Sequence, residues 1–366
     1  MPRRGECIYK RKDGRWEARY VREIGPDGKK KYGSVYAESY RAVKEKQQYF
    51  LLSPIRQQHH SAQFRVTELL ARWLNHVQFQ VKKSTYCKYE GLCRNHIQPE
   101  IGSVPLALVS REMIERFAEK QRVGGRLRGG TLSVKTVNDI LIVLGLSFDF
   151  AEEEYGLSMP KVSFLREEKK EARVLSREEQ ERLTAELLTD MDLFKFGALL
   201  ALHTGLRIGE LCALLWEDMT ETYIVVNKTM QRLSKAEGKT EVIIDSPKSK
   251  TSRRIVPLPS FLFPYIERFR QSGGYVIHAP KSVHSEPRTV QQKFREITRR
   301  LGLEEVTFHT LRHTFATRCV EVGFDIKTLS EILGHADVKT TLNRYVHSSF
   351  ELKQRNMEKL SLSVGQ

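Results

Sequence analysis

The 366-residue chain is long enough for two or three domains, and its 40% hydrophobic and 29% charged residues favour folded cores over disorder. No apolar run approaches the roughly 18 residues that cross a bilayer, and the polar, basic start lacks the apolar core of a secretory signal. With 61 Lys and Arg against 45 Asp and Glu, the net charge of +16 favours a polyanionic partner, nucleic acid before an acidic membrane surface. Five cysteines without a CxxC pair or a zinc-ligand spacing indicate reduced thiols in a cytoplasmic protein.

The first 50 residues concentrate positive charge, with 14 Lys and Arg against seven Asp and Glu. Turn signals separate three predicted strands, Cys7 to Tyr9, Trp16 to Ile24 and Lys31 to Tyr36, and a helix follows from about 39 to 52. We therefore predict an N-terminal domain over residues 1–55 whose sheet lays one face into a DNA groove. The candidate DNA-binding residues are Lys10, Arg11, Arg15, Trp16, Arg19, Tyr20 and Arg22. The alternative is that the aromatic rings form core and the charges are only solvated.

A polar segment, Ser53 to Ser61, predicts a linker before a second domain over residues 63–160. The first helix of this domain is indicated by apolar residues at helical spacing, namely Val66, Leu69, Leu70, Trp73, Leu74 and Val77. Further helices are predicted at Ser84 to His96, at Ser110 to about Arg122 and at Ser133 to Tyr155, each opened by a serine that can cap free N–H groups. We expect this domain to be all-α.

A charged segment, Lys161 to Arg173, predicts a second linker, and a capping box at Ser176 opens a third domain over residues 174–366. Helices and strands are both expected here, with helices over about 176–187, 192–203 and 207–215, strands over 223–228, 240–244 and 254–258, and further helices to the end. The third domain is therefore predicted to be mainly α with a small antiparallel sheet.

Arg207 is the first of several side chains in the third domain that suit phosphate chemistry. It follows a glycine turn in Thr204-Gly205-Leu206-Arg207 and opens a predicted helix, where free backbone N–H groups favour an anion. Its guanidinium could fork onto a phosphate there, although a surface salt bridge with Glu210 is the simpler interpretation of this segment alone.

Two histidine motifs and a tyrosine follow towards the C-terminus. His309 and Arg312 are three residues apart, so one helical face would bring a proton-exchanging ring and a fixed cation to one bound group. His335 follows Gly334, which is expected to end a helix, so the ring would lie in a turn beside a cleft. Tyr345, in a polar helix, can act as an oxygen nucleophile only if cations stabilise its phenolate. Each feature alone is common in proteins without catalytic meaning.

Taken together and in this order, Arg207, the HxxR pair at 309–312, the Gly-His at 334–335 and Tyr345 strongly resemble the tyrosine recombinase (phage integrase) family. The resemblance covers nearly the whole chain, because residues 96–102 fit the family's helical core-binding domain and the basic first module fits its arm-binding domain. The domain layout of the chain is similar to that of integrases of conjugative transposons and temperate phages. The fold class implied is multidomain: a small three-stranded sheet plus helix, an all-α core-binding domain and a mainly α (α+β) catalytic domain.

The resemblance also implies a role for each matched residue. Tyr345 would attack a scissile DNA phosphate and form a 3′-phosphotyrosyl intermediate, while Arg207 and Arg312 neutralise the non-bridging oxygens. His309 and His335 would orient the phosphate and assist proton transfer from the tyrosine.

A lysine that protonates the departing 5′-oxygen is expected from the resemblance on a β-hairpin. The segment Ser246 to Arg254 lies between two predicted strands, where this lysine should be. Lys248, directly after Pro247, fits the usual placement, and Lys250 is the alternative.

The implied activity is site-specific recombination that integrates and excises a mobile element. The implied partners are double-stranded DNA at core and arm sites, other copies of the chain in a homotetramer, and an excisionase or a host DNA-bending protein, with no membrane partner. No cofactor is expected, because the covalent link keeps the phosphodiester energy, and no metal is expected, because no ligand cluster such as HExxH is present. Two alternatives are open: DNA relaxation like that of a type IB topoisomerase, and a non-catalytic DNA-binding regulator.

Overall fold

The computed structural model describes most of the chain, namely residues 7–11, 14–24, 30–52, 64–126, 129–168, 172–234, 239–245, 253–280, 282–345, 354 and 357. Two compact units are formed, one of residues 1–80 and 92–165 and the other of residues 81–91 and 166–366. The boundaries of the three domains proposed from the sequence stay a prediction. Within the described part, no helix is both long and apolar enough to cross a membrane.

A three-stranded antiparallel sheet and one helix form the start of the chain. The elements are β1 (Ile8–Lys10), β2 (Trp16–Ile24), β3 (Lys30–Ala37) and α1 (Tyr40–Leu52), and β2 is the central strand. A small core of Ile8, Ala18 and Val43 joins the sheet to the helix, and Trp16 packs edge-on against Tyr40. The strands and the helix predicted from the turn signals are confirmed.

Helices follow through the middle of the chain. They are α2 (Val66–Val77), α3 (Lys83–Leu92), α4 (Gln98–Ile101), α5 (Arg111–Gly124) and α6 (Val134–Tyr155). All six residues of the apolar stripe on α2 are buried, as its spacing predicted. Ser110 and Ser133 cap α5 and α6 as expected. The cap predicted at Ser84 is wrong, because α3 begins one residue earlier, and the helix expected to run to His96 instead passes into a π-helical turn, Cys93–Ile97.

The last part of the chain combines helices with short strands. Its elements are α7 (Arg177–Leu188), α8 (Leu193–Thr204), α9 (Ile208–Cys212), β4 (Tyr223–Val226), β5 (Thr229–Ser234), β6 (Thr240–Asp245), β7 (Arg254–Pro257), α10 (Phe263–Phe269), α11 (Pro287–Arg300), α12 (Phe308–Glu321), α13 (Ile326–Leu333) and α14 (Val338–Tyr345). The predicted capping box at Ser176 is confirmed, with Glu179 as its partner.

The prediction of a single small sheet in this unit is wrong, as the strand pairing shows. In the described residues β4 pairs with β7, and β5 pairs with β6, both antiparallel, so there are two separate two-stranded ribbons. Strand β5 was not predicted, because Thr229–Ser234 has no turn signal before it that separates it from the preceding strand.

Helix α8 is the central element of this unit. Eight of its 12 residues are buried, and it packs against α7, α11 and α12, as expected for a helix that is apolar on nearly every side. Its last residue, Thr204, is the first residue of the motif that contains Arg207. The core therefore fixes the point from which that arginine projects.

Candidate active site

Arg207 is positioned by the sharp turn after α8. Gly205 has a φ of +67°, and a Cβ there would lie 2.6 Å from the Phe315 ring, so both conformation and space require glycine. Arg207 caps α9, donating from Nη1 to the Glu210 carboxylate at 2.7 Å and from Nη2 to the Gly334 carbonyl at 3.2 Å. The salt bridge with Glu210 is thus present. It is not a surface pair, because the two side chains are 35% and 4% exposed.

Glu210 joins Arg207 to a third arginine, Arg254 on β7. Its two carboxylate oxygens accept from Nη1 and Nη2 of Arg254 at 3.0 and 2.9 Å, and one also accepts the backbone N–H of Arg207 at 2.9 Å. Burial alone would raise the pKa of Glu210, but the hydrogen bonds and charge of Arg254, with the charge of Arg207, lower it from 4.5 to about 2. The carboxylate is ionised at neutral pH and fixes both arginines.

Arg312 lies deepest, with 2% of its surface exposed. It donates at 2.7 Å to the carbonyls of Gly205 and Leu333, and at 3.0 Å to Nε2 of His335. Burial, followed by the neighbouring charge of Arg207, lowers the pKa of Arg312 to about 9, so it is still a cation at neutral pH. These bonds use three of its five N–H groups.

His335 lies in the turn after α13, where Gly334 has a φ of +65°, as the sequence predicted. Its Nδ1 lies 2.8 Å from the Thr341 hydroxyl, and its Nε2 faces Arg312. Because a guanidinium only donates hydrogen bonds, Nε2 must be the acceptor, and the proton of a neutral ring is assigned to Nδ1. The ring is therefore held at both nitrogens.

Tyr345 ends α14 and is 6% exposed. Its ring is parallel to that of His335, with centroids 6.5 Å apart. Its hydroxyl lies 2.8 Å from Nδ1 of His313, which is 8% exposed. Sequence reasoning assigned no role to His313. The available signal was the unusual polarity of the buried face of α12, where Thr310 and Thr314 are also buried.

His309 is on the same helix but is exposed, and its ring packs edge-on against His313 at a centroid distance of 4.5 Å. The predicted pair of His309 and Arg312 is thus on α12 as expected, with one member at the surface and the other in the interior. That both reach one phosphate stays a prediction.

Lys248 and Lys250 lie outside the described residues. The strands on either side of their segment are β6 and β7, and these pair with β5 and β4 rather than with each other. The expected hairpin between these two strands is therefore wrong for the described residues, since the hairpin of this region is formed by β5 and β6.

The N-terminal candidates divide between the two faces of their sheet. Trp16 and Tyr20 lie two positions before and two positions after the buried Ala18 on β2. Because side chains two positions apart in a strand share a face, both rings are on the side of the sheet that faces α1. Lys10 and Arg15 are exposed, and Arg22 lies on β2 without a described side chain. DNA contact by Trp16 and Tyr20 stays a prediction, but their position agrees with the alternative that these two rings form core.

The opposite, open face carries Arg11 and Arg19 beside the exposed rings of Tyr9 and Tyr36. The Arg11 and Arg19 guanidinium groups lie 5.5 Å and 5.4 Å from the ring centres of Tyr36 and Tyr9. Between them the enclosed Glu17 accepts from Arg11 at 2.8 Å. The hydrogen bond from Ser34, with those from Tyr9 and Arg11, lowers the pKa of Glu17 to about 2. The face is a fixed array of arginines and aromatic rings.

Among the described residues, no three His, Cys, Asp or Glu side chains are arranged to hold a metal ion.

Two family models match the chain: the phage integrase family over residues 173–351, and the phage integrase N-terminal SAM-like domain over residues 66–120. A relative from Caldanaerobacter subterraneus subsp. tengcongensis, named tyrosine recombinase XerC-like, is 28% identical over 80% of this chain and 82% of its own length. The ICEBs1 integrase of Bacillus subtilis is 25% identical over 79% of this chain and 80% of its own length.

Solved structures show the same fold. The Tn1549 transposon integrase in complex with transposon right end DNA matches with a TM-score of 0.69 and 24% identity, covering 81% of this chain and all of that one. A lambda integrase tetramer bound to a Holliday junction matches with a TM-score of 0.56 and 17% identity, covering 94% of this chain and 98% of that one.

Proposed function

Because this chain belongs to the tyrosine recombinase (phage integrase) family and is a site-specific recombinase, we propose that its described cluster is the cleavage site, with Tyr345 as the nucleophile. The observation that supports this most is one series of neighbours: Arg207 donates to Gly334, Arg312 donates to His335, and the His335 ring lies parallel to that of Tyr345 with centroids 6.5 Å apart. Three separate sequence motifs are thus brought to the fourth, Tyr345.

The charge of the cluster suits a phosphate. The cluster contains three arginines and one carboxylate, Glu210, which pairs with Arg207 and Arg254, so the cluster keeps a net charge of +2 at neutral pH. Arg207 is the most accessible of the three, so we expect a DNA phosphate to meet it first, with Arg312 behind it. Their cations would stabilise the non-bridging oxygens as charge builds in the transition state.

Each step then balances without an energy source. The Tyr345 oxygen attacks phosphorus and gives up its proton to a base of the site, a 3′-phosphotyrosyl bond forms, and the bond to the 5′-oxygen breaks, with that oxygen taking a proton from Lys248. In rejoining, a 5′-hydroxyl attacks the phosphotyrosine and releases the tyrosine. The phosphodiester energy stays in the covalent link throughout.

Further DNA contacts are proposed at two surfaces. Helix α11 exposes one polar face with side chains that suit phosphates and base edges, namely Arg288, Gln291, Gln292, Arg295, Glu296 and Arg299. The open face of the N-terminal sheet, with Arg11 and Arg19, would bind arm-type DNA. By analogy with the lambda tetramer, four copies would assemble on core DNA, with an excisionase or a DNA-bending protein as further partners, in the cytoplasm.

The two alternatives gain no support. The relatives reported above are recombinases and integrases, which gives no reason to prefer relaxation by a topoisomerase-like enzyme. A non-catalytic regulator would not need a buried tyrosine beside two histidines and three arginines.

The test is covalent trapping on a nicked suicide substrate that carries the attachment site of the element encoding this chain. Wild-type protein should form an adduct. Tyr345→Phe should bind the same DNA with unchanged affinity and form none, because only the hydroxyl is removed. An adduct formed by Tyr345→Phe would contradict the assignment.

A further inference from the structure

We propose that His313 is a catalytic residue that accepts the phenolic proton of Tyr345 during cleavage and returns it during rejoining. The inference rests on the proposed function of Tyr345 as nucleophile. It is carried by the hydrogen bond of 2.8 Å between Nδ1 of His313 and the Tyr345 hydroxyl, formed between two side chains that are both enclosed.

The geometry distinguishes His313 from the two histidines of the recognised motifs. His335 directs one ring nitrogen at Arg312 and the other at Thr341, and its ring lies parallel to that of Tyr345. His309 is exposed and packs its ring against His313. A base must be within hydrogen-bond reach of the proton that it removes, and His313 meets this condition before DNA is bound.

The proton transfer completes the balance of the reaction. As the phenolic oxygen bonds to phosphorus, its proton moves to Nδ1 of His313, and the ring becomes a cation. The 5′-oxygen leaves with a proton from the general acid. One proton transfer therefore occurs at the attacking oxygen and the other at the leaving oxygen, on opposite sides of the phosphorus. In the reverse step the His313 cation protonates the departing phenolic oxygen of Tyr345.

The position on α12 explains why this histidine can serve as base. Its neighbour Arg312 is anchored by two backbone carbonyls, so the backbone that carries His313 is held against the ends of α8 and α13. The hydroxyl of Tyr345 is thereby placed against a base whose position does not depend on a flexible segment.

Single-turnover cleavage of the suicide substrate by His313→Asn tests the proposal. Asparagine keeps a polar atom near the Nδ1 position but cannot take a proton, so we expect DNA binding to be unchanged and cleavage to fall by about 10²- to 10⁴-fold, the usual effect of losing a general base. His278→Asn is the matched control, since this ring is also hydrogen-bonded but lies outside the cluster, and it should cleave at the wild-type rate.

A substrate with sulfur in place of the 5′-bridging oxygen separates a base from an acid. Its leaving group needs little protonation, so it should not rescue His313→Asn, because the defect lies at the nucleophile. Rescue of His313→Asn by sulfur, or cleavage of ordinary DNA at the wild-type rate, would overturn the proposal. If Tyr345→Phe is inactive while His313→Asn is fully active, only the role of His313 fails; an adduct from Tyr345→Phe removes the proposed function itself.

A second variant covers the case in which His313→Asn does not fold. His313→Ala leaves space for a small base, so its cleavage rate should rise with added imidazole in the buffer. A rate that imidazole leaves unchanged would count against proton transfer by His313.

Discussion

Replacing Glu210 with glutamine should destabilise the catalytic unit, and the loss should depend on pH. The carboxylate of Glu210 is 4% exposed and is held between Arg254 and Arg207. Glutamine keeps the shape but removes the charge, so two arginines lose their shared partner. Removing one member of a buried ion pair typically costs about 3–5 kcal/mol.

The pKa gives an independent magnitude for the same change. The drop from 4.5 to about 2, at about 1.4 kcal/mol per pH unit, corresponds to roughly 3 kcal/mol of folding free energy. Because the folded pKa is the lower one, this contribution is complete above pH 4.5 and is lost as pH falls towards 2. At pH 3 about 1.4 kcal/mol of it would remain, so the difference between Glu210 and glutamine should shrink by about 2 kcal/mol from pH 7 to pH 3.

Urea unfolding followed by tryptophan fluorescence measures this difference. The three tryptophans lie in separate parts of the chain, and Trp216 is buried in the catalytic core. In a background of Trp16→Phe and Trp73→Phe, Trp216 reports on the catalytic unit of the full chain. The reasoning is refuted if Glu210→Gln changes stability by less than about 1 kcal/mol at pH 7, or by equal amounts at both pH values.

Three further predictions concern other parts of the chain. Deleting residues 1–60 should abolish arm-site binding and leave core-site cleavage intact; equal affinity of the full-length and truncated proteins for arm DNA would contradict this. Arg19→Ala should weaken the binding of arm DNA and make the affinity less dependent on salt. Lys248→Ala should be rescued by the sulfur-bridged substrate, whereas Lys250→Ala should be nearly active on ordinary DNA; the reverse pattern would exchange their roles. Gly205→Ala should lower the free energy of unfolding in urea by more than Gly302→Ala does. Both glycines have a φ of +67°, but of the two positions only 205 would place a Cβ within 4 Å of other atoms. Equal losses would show that the neighbours of position 205 move to make room for the methyl group.

The parts of the fold that were predictable are those set by neighbouring residues. The stripe on α2 needs only the helical period, and the end of α13 needs only Gly334 in the left-handed conformation. The strands of the N-terminal sheet were found from the turns between them. Each of these features depends on a few consecutive positions, so the sequence contains the information in one place.

The parts that were missed depend on contacts between distant residues. Arg254 meets Glu210 across 44 positions and His313 meets Tyr345 across 32, and nothing in the local sequence pairs them. The division of the N-terminal candidates has the same origin, because Trp16 faces inward owing to the position of α1. The sequence shows that the first 50 residues are rich in basic side chains, but only the packing decides which of them lie on the open face of the sheet.

The same contacts explain why two glycine turns accompany the arginines of this site. Helices α8 and α13 both end at a glycine in the left-handed conformation, and such ends leave backbone carbonyls without partners inside the helix. Carbonyls at these two ends accept the hydrogen bonds of Arg312, Arg207 and Arg254, in keeping with the partial negative charge of a helix C-terminus. Carbonyls orient the guanidinium groups without neutralising them, whereas a carboxylate for each arginine would leave no net charge. Glu210 pairs with two of the three arginines, Arg207 and Arg254, so the cluster keeps a positive charge at the place where we propose that the DNA phosphate binds.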